Sequence, residues 1–402
     1  MNKFLSYGVF AFTVLLSSCD SQPKQEPLAD VIDRGLKAST EQALLMAKDL
    51  ESQEGRLPKA IGKDGKLETS DYSWWCSGFF PGELWYLYEN NPTPELKKYA
   101  EMFTDRVEEV KNITYSHDVG FMLYCSYGNG YRLTQDERYK EILLQSARTL
   151  STRFKPKAGI IRSWDHNKDK WQCPVIIDNM MNLELLFWAT KESKDSTYYN
   201  IAVSHARTTM KNHFRADYSC YHVIDYDTIT GQVLKKNTHQ GLAHESAWAR
   251  GQAWALYGYT MCYRETKLPE FLEQAKKVEQ YLFTHKNMPE DLIPYWDFDA
   301  PGIPNEPRDA SAATVIASAL YELSQYDRKN SERYKKNADR IVENLTNSYR
   351  TTLNKDNGFL LLHSTGTKPT NVEVDVPIVY ADYYFIEALL RKDKLEKTGK
   401  LF

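Results

Sequence analysis

Pro174-Val-Ile-Ile-Asp178-Asn-Met-Met-Asn182-Leu-Glu-Leu-Leu-Phe-Trp188 sets the pattern for the whole chain. A short apolar approach leads to an aspartate, and the aspartate opens a helix with apolar residues on nearly every side. At that opening Asp178 takes an N-cap position, where a carboxylate accepts bonds from free helix N–H groups and meets the positive end of the dipole. The same grammar recurs at Ser77, Asp118, Asp178, Ser246, Asp309 and Asp375. Six similar openings, spaced about 40 to 70 residues apart, mark an internal repeat.

Between the apolar helices lie charged, striped ones. Leu28 to Ser52 comes first, followed by Thr93 to Lys111, Asp136 to Phe154, Thr197 to His213, Pro269 to His285 and Ser331 to Tyr349. The apolar set opens at Ser77 and continues with Asp118 to Leu133, Asp178 to Lys191, Ser246 to Glu265, Asp309 to Tyr326 and Asp375 to Arg391. A helix apolar all round is buried, whereas a striped one lies outside. Six such pairs predict an all-α (α/α)6 barrel, a six-hairpin toroid formed by one domain over residues 28–402. An open solenoid is the competitor, but it needs polar end caps and neither terminal helix is one. In a barrel the inner helix N-termini share one end, which then collects the dipoles and the long loops. Residues 54–70, rich in Gly and Lys, read as loop.

Composition supports a large core. The 402 residues are 42% hydrophobic with a formal net charge of −3, and 27 Tyr, 16 Phe and 9 Trp make the aromatic load high. No basic excess points to nucleic acid. Lys3, then the apolar run Phe4 to Leu16, then Leu16-Ser-Ser-Cys19, read as a bacterial lipoprotein signal over residues 1–18, with residues 19–27 as a tether. That would make the protein periplasmic and bound to the membrane only through a lipid on Cys19. A plain cleaved secretory signal is the alternative. Cys76, Cys125, Cys173, Cys220 and Cys262 form no C-x-x-C pair and read as buried small hydrophobes. No metal site and no cofactor are expected.

Four loops feed the end that gathers the inner N-termini. They hold Ser73 to Gly78, Arg162 to Trp171, His222 to Trp254, and Tyr295 to Asp309. Together they supply paired carboxylates, histidines, an arginine and tryptophans, the ingredients of acid/base chemistry on a sugar. Taken singly, an aspartate at a helix start is more often a cap, and capping suffices for Asp309 and Asp375. His117 beside Asp118, and Asn179 and Asn182 beside Asp178, favour chemistry at those two carboxylates. His117, His222 and His239 read equally well as core or loop histidines. Arg250 needs an anion: a neighbouring Asp or Glu in the plain reading, a substrate carboxylate in the sharper one. Trp75, Trp164, Trp248 and Trp254 are each more simply core, but as a group they suit a sugar site.

H-D-V-G-F at 117, I-I-D-N-M-M-N at 176, T-H-Q-G at 238, E-S-A-W-A-R-G-Q-A-W at 245 and A-D-Y-Y-F-I-E-A-L at 381 resemble the unsaturated glucuronyl hydrolases of glycoside hydrolase family 88. The resemblance runs in order over the whole mature chain, and its fold is the (α/α)6 barrel. It implies a substrate left by a polysaccharide lyase, an oligosaccharide of glycosaminoglycan type with a 4,5-unsaturated uronic acid at its non-reducing end. The double bond is hydrated rather than the anomeric carbon attacked. The aspartate matching Asp178 would protonate C4, then take a proton from the water that adds at C5. The resulting hemiketal opens and releases the rest of the sugar. The aspartate matching Asp118 would stay charged and hold ring hydroxyls. His222, Gln240, Arg250 and Trp254 fall on positions lining that family's site, with Trp75, Trp164, His117 and His239 as neighbours.

A helix N-terminus lowers an aspartate's pKa, yet a proton donor needs it raised. The expectation is therefore that Asp118 and the substrate push Asp178 up mainly in the complex. The polar loop Ser364 to Asn371, with the cation Lys368, is a contact for a second sugar or its sulfate, or an ordinary surface loop. An unsaturated rhamnogalacturonyl hydrolase, a sugar epimerase on the same barrel, and a non-catalytic glycan-binding lipoprotein are the competing readings. The epimerase would need a histidine pair in place of the aspartates.

Overall fold

Burial sorts the helices into two rings. The computed structural model describes residues 26–402, so the leader, Cys19 and all but the end of the tether lie outside the described residues. Its helices are α1 Leu28–Glu51, α2 Phe79–Asn90, α3 Pro94–Asp105, α4 Val119–Leu123, α5 Asn129–Thr134, α6 Glu137–Ser151, α7 Leu183–Ser193, α8 Ser196–Asn212, α9 Ala249–Thr266, α10 Pro269–Thr284, α11 Ala310–Leu323, α12 Ser331–Ser348 and α13 Val379–Thr398. All 14 residues of α11 are buried, as is every residue of α9 from Ala249 to Cys262. In α12, by contrast, only Tyr334, Ala338, Ile341, Val342, Leu345 and Thr346 are buried, one stripe at helical spacing.

The inner ring runs α2, α4–α5, α7, α9, α11 and α13, and α13 packs back on α2. Outside it lie α1, α3, α6, α8, α10 and α12, with α1 against α12 and α13. Both rings therefore close, as the alternation predicts, and no end is left for a solenoid cap. Cys76, Cys125, Cys173, Cys220 and Cys262 are free and buried.

Several openings differ from the sequence reading. The second inner helix is broken by a π-turn at Tyr124–Gly128 between α4 and α5. Residues 57–61 and 67–70 pair as an antiparallel hairpin where composition predicts a loop. Of the six inner starts, only Asp309 is a side-chain cap, accepting from the Ser311 N–H. Asp178 is not an N-cap: it lies inside a 3-10 turn, Ile177–Asn182, that precedes α7. Ser246 lies three residues before α9 and donates to the Asp297 carboxylate at 2.8 Å. Asp375 belongs to a strand, Val372–Val376, and pairs with His363 Nδ1 at 2.7 Å, while α13 starts at Val379. Short strands and turns separate Asp178, Ser246 and Asp375 from their helices, and Asp118 directly precedes α4 without capping it, so the carboxylates at 118 and 178 are not consumed by capping.

Candidate active site

The rim is stitched by backbone bonds between loops far apart in sequence. The His117 N–H donates to the Ser163 carbonyl at 2.9 Å, Ser163 N–H to Pro174 at 2.8 Å, and Ile177 N–H to His222 at 3.1 Å. Ala249 N–H reaches Trp296 at 3.1 Å and Ala310 N–H reaches His363 at 3.0 Å. Loops so tied hold their side chains as firmly as the helices do.

Asp118 and Asp178 meet where α4 crosses the 177–182 turn. Asn182 joins them: its Oδ1 accepts from the Phe121 N–H at 2.7 Å, and its Nδ2 lies 3.4 Å from His117 Nδ1. Gly120 permits the crossing, because a Cβ there would stand 2.6 Å from the Asn182 Cα. Asp118 is partly exposed, takes a hydrogen bond from Ser116 Oγ at 2.9 Å and lies 3.2 Å from His117 Nε2. Asp178 is 7% exposed. Burial raises its pKa to about 7; Arg250 opposes this, Asp118 adds to it, and the nearby Trp254 indole N–H lowers it. Desolvation thus outweighs the local dipole before any substrate arrives, contrary to the expectation that the rise waits for the complex.

The histidines surround this carboxyl in neutral form. His222 Nδ1 accepts from the His239 and Gln240 N–H groups at 3.0 and 3.1 Å. Its Nε2 must then carry the proton, and it lies 3.7 Å from Asp178 Oδ2. Burial holds the pKa of His222 far below the ordinary histidine value, and those of His117 and His239 below it too. Arg250 finds the plainer of its two partners. It is 1% exposed, donates to Asp309 Oδ2 at 2.8 Å and to the Thr365 and Gly366 carbonyls at 2.6 and 2.7 Å, and stacks near the Trp248 and Tyr380 rings. The Gln240 amide donates to the same Gly366 carbonyl at 3.2 Å.

Trp254 packs against Phe121 at 5.3 Å, and Phe121 against Trp75 at 5.8 Å. Trp164 meets His239 at 5.7 Å and stacks on His166 at 5.2 Å. All ten residues singled out from the sequence are therefore linked in one cluster. Sequence reasoning misses Phe121, Tyr380 and His166 as wall residues, and gives Asn182 no joining role. Only the three-dimensional contact makes them visible, since aromatic residues in an apolar helix carry no distinguishing pattern. Six buried polar atoms here lack a hydrogen-bond partner in the protein: His117 Nε2, Trp164 Nε1, Asp178 Oδ2, Asn179 Oδ1, His222 Nε2 and Trp254 Nε1. Buried polar atoms are normally satisfied, so donors and acceptors left open together are available to hydrogen-bond a ligand or water. Among the described residues, no three His, Cys, Asp or Glu gather as a metal site.

A cavity of about 570 Å³ opens at the other end of the barrel, lined among others by Glu184, Trp188, Tyr257, Arg264, Glu387 and Arg391. Its charges pair with one another: Arg264 with Glu184 and Glu322, and Arg391 with Glu322 and Glu387. Phe121, Trp254 and Tyr384 stand between it and the carboxylate pair. The charges of this hollow are satisfied by one another, whereas the unsatisfied groups gather with the carboxylates at the opposite end.

Comparison with known proteins identifies the family. The sequence profile of Glycosyl Hydrolase Family 88 matches residues 50–394. An unsaturated glucuronyl hydrolase of Formosa agariphila is 51% identical over 323 residues, 80% of each chain. A crystal structure of an unsaturated glucuronyl hydrolase specific for heparin superposes with a TM-score of 0.87 at 46% identity, covering 91% of this chain and 98% of that one. A structure of a UGL variant with dGlcA-Glc-Rha-Glc gives a TM-score of 0.82 at 28% identity, covering 89% and 96%.

Proposed function

The chain belongs to glycoside hydrolase family 88, and from that premise we propose how its residues share the reaction. It is a glycosidase that releases 4,5-unsaturated uronic acid from the non-reducing end of glycosaminoglycan-type oligosaccharides. Asp178, protonated near neutral pH, gives its proton to C4 of the double bond. Positive charge then develops at C5 and is shared with the ring oxygen. The carboxylate left behind takes a proton from water as that water's oxygen bonds to C5, so Asp178 ends as it began. The hemiketal opens, and the leaving sugar departs with its oxygen protonated.

Asp118, more exposed and hydrogen-bonded by Ser116, accepts hydrogen bonds from the sugar's hydroxyls. His222 presents a neutral N–H toward the Asp178 carboxyl. Trp254, Trp75 and Trp164 with His117, His239 and Gln240 form the wall against which the ring lies. Arg250 tunes Asp178 through space and fixes the 364–367 backbone. One observation carries this reading: a buried aspartate raised to about 7, beside a second carboxylate and a neutral imidazole. A buried carboxyl raised toward neutral pH next to a second carboxylate is a mark of acid/base work.

The test is to mix the protein with lyase-generated unsaturated disaccharides and follow loss of the double bond's ultraviolet absorbance. Asp178→Asn keeps binding and loses turnover; turnover at the wild-type rate overturns the assignment. The loop Ser364 to Asn371, held to Arg250 and Gln240 through its Thr365 and Gly366 carbonyls, is read as the contact for the second sugar or its sulfate. The signal ending at Cys19 supports a lipid-anchored periplasmic enzyme. Cys19→Ala then moves the protein from the membrane to the soluble fraction; retention in the membrane refutes the anchor.

A further inference from the structure

Exposed aromatic rings are not scattered over this surface. Among the described residues four are exposed: Tyr72 at 39%, Trp74 at 42%, Tyr115 at 51%, and Phe402. The first three lie on two neighbouring loops at the end of the barrel that holds the carboxylates. Tyr72 and Trp74 precede α2, and Tyr115 lies three residues before Asp118. Trp75 on the first loop touches Phe121 just beyond the second.

Trp74 has a built setting. Lys59 Nζ lies 5.0 Å from its ring centroid and is itself held by Glu373 at 3.1 Å and Glu68 at 3.3 Å. Glu373 packs on Gly366, where a Cβ would stand 2.5 Å from its Oε2. The Gly366 carbonyl is the one that Arg250 and Gln240 grip. An indole braced by a fixed cation, and still two-fifths exposed, is therefore tied through Lys59, Glu373 and Gly366 to Arg250 and Gln240. Core packing does not account for it, since a core residue is covered. The walls near Asp178 suit one sugar ring, whereas this ring stands on the rim, where a chain leaving the site has to pass.

We propose that Trp74, with Tyr72 and Tyr115 along the same rim, forms an outer platform for a sugar beyond the second one of an unsaturated oligosaccharide. The platform rests on the hydrolase reading above and adds a length preference to it. Sugar C–H faces pack on indole rings without needing a particular hydroxyl pattern, so the contact rewards chain length more than composition. A four-sugar chain is the ligand in the related UGL variant structure, a length that would reach past the scissile linkage.

The experiment compares unsaturated disaccharide with unsaturated tetrasaccharide from one parent polysaccharide, as substrates for wild type, Trp74→Ala and Trp74→Phe. Trp74→Ala is expected to raise KM for the tetrasaccharide about fivefold or more, to leave kcat unchanged, and to leave both constants for the disaccharide within about twofold; the range follows from the usual worth of one aromatic contact. Trp74→Phe recovers most of the loss. Equal effects of Trp74→Ala on both lengths, or none on either, overturn the platform while the hydrolase reading stands. A wild-type protein that turns over neither substrate overturns both.

Discussion

Replacing Asp178 by Asn should make the folded protein more stable at alkaline pH while removing its activity. Burial raises this carboxyl from an ordinary value of 3.8 to about 7. A tenfold change in proton affinity between folded and unfolded states corresponds to about 1.36 kcal/mol. A folded-state pKa above the unfolded one means that the folded protein holds the proton through the window from 3.8 to about 7. The group's favourable contribution is full below that window and is lost as pH rises through it. At pH 8 the ionised, buried carboxylate therefore costs about 4 kcal/mol relative to the unfolded chain, and at pH 5, where the buried group is protonated and the unfolded one ionised, only about 1.6 kcal/mol. Asparagine has nearly the same volume and no charge, so it removes this penalty without opening a cavity. With an unfolding entropy of about 2.1 cal/mol/K per residue, a chain of this length gains about 5 °C in Tm at pH 8 and about 2 °C at pH 5. Calorimetric scans of both proteins at the two pH values measure the difference. A variant that is less stable than wild type, or that gains equally at both, refutes the claim that desolvation sets this pKa. In wild type the same group makes kcat fall about tenfold for each further pH step of one above pH 7, since only the protonated form can donate.

Gly120→Ala drives a methyl group into the Asn182 backbone and should cost about 1–3 kcal/mol in urea unfolding. It also separates the two carboxylates, so kcat should drop on the order of 100-fold even where the variant folds; unchanged kcat would mean that their spacing is not critical. Arg250→Met strands Asp309 in the core and should lose about 3–5 kcal/mol, read by denaturant midpoint. Because Arg250 holds the pKa of Asp178 down, the alkaline limb of the rate profile in this variant should move to higher pH; movement to lower pH would contradict the stated role. Dialysis against EDTA should leave disaccharide turnover unchanged, and loss restored by a divalent metal would show a requirement that the site's residues do not suggest.

Much of this architecture is readable from residue order because it depends on which faces of each helix are apolar. Apolar helices such as α11 have to be covered on all sides, striped ones such as α12 on one, and six alternations leave a closed double ring as the simplest packing. The motifs around Asp118 and Asp178 can be placed at one end for the same reason, since every inner helix enters from there. Capping is easily misread because Ser, Asp and Asn before a helix look alike, whether the helix begins at the next residue or after a 3-10 turn. Asp178 and Asp375 illustrate this: one sits within such a turn, the other in a strand three residues short of its helix.

Residue order alone thus determined the helical pairs, their number and the family they resemble, and it pointed to the candidate residues. It could not assign an anion to Arg250, since Asp309 lies 59 residues away and only the packing of α9 against α11 brings it to 2.8 Å. Nor could it give the proton affinity of Asp178, which local rules lower and which burial raises. Periodicity is a property of neighbours along the chain, whereas desolvation and charge pairing depend on everything packed around a group. The sequence points to Asp178 as a candidate acid, and the tertiary environment makes it a carboxyl that still holds a proton near neutral pH.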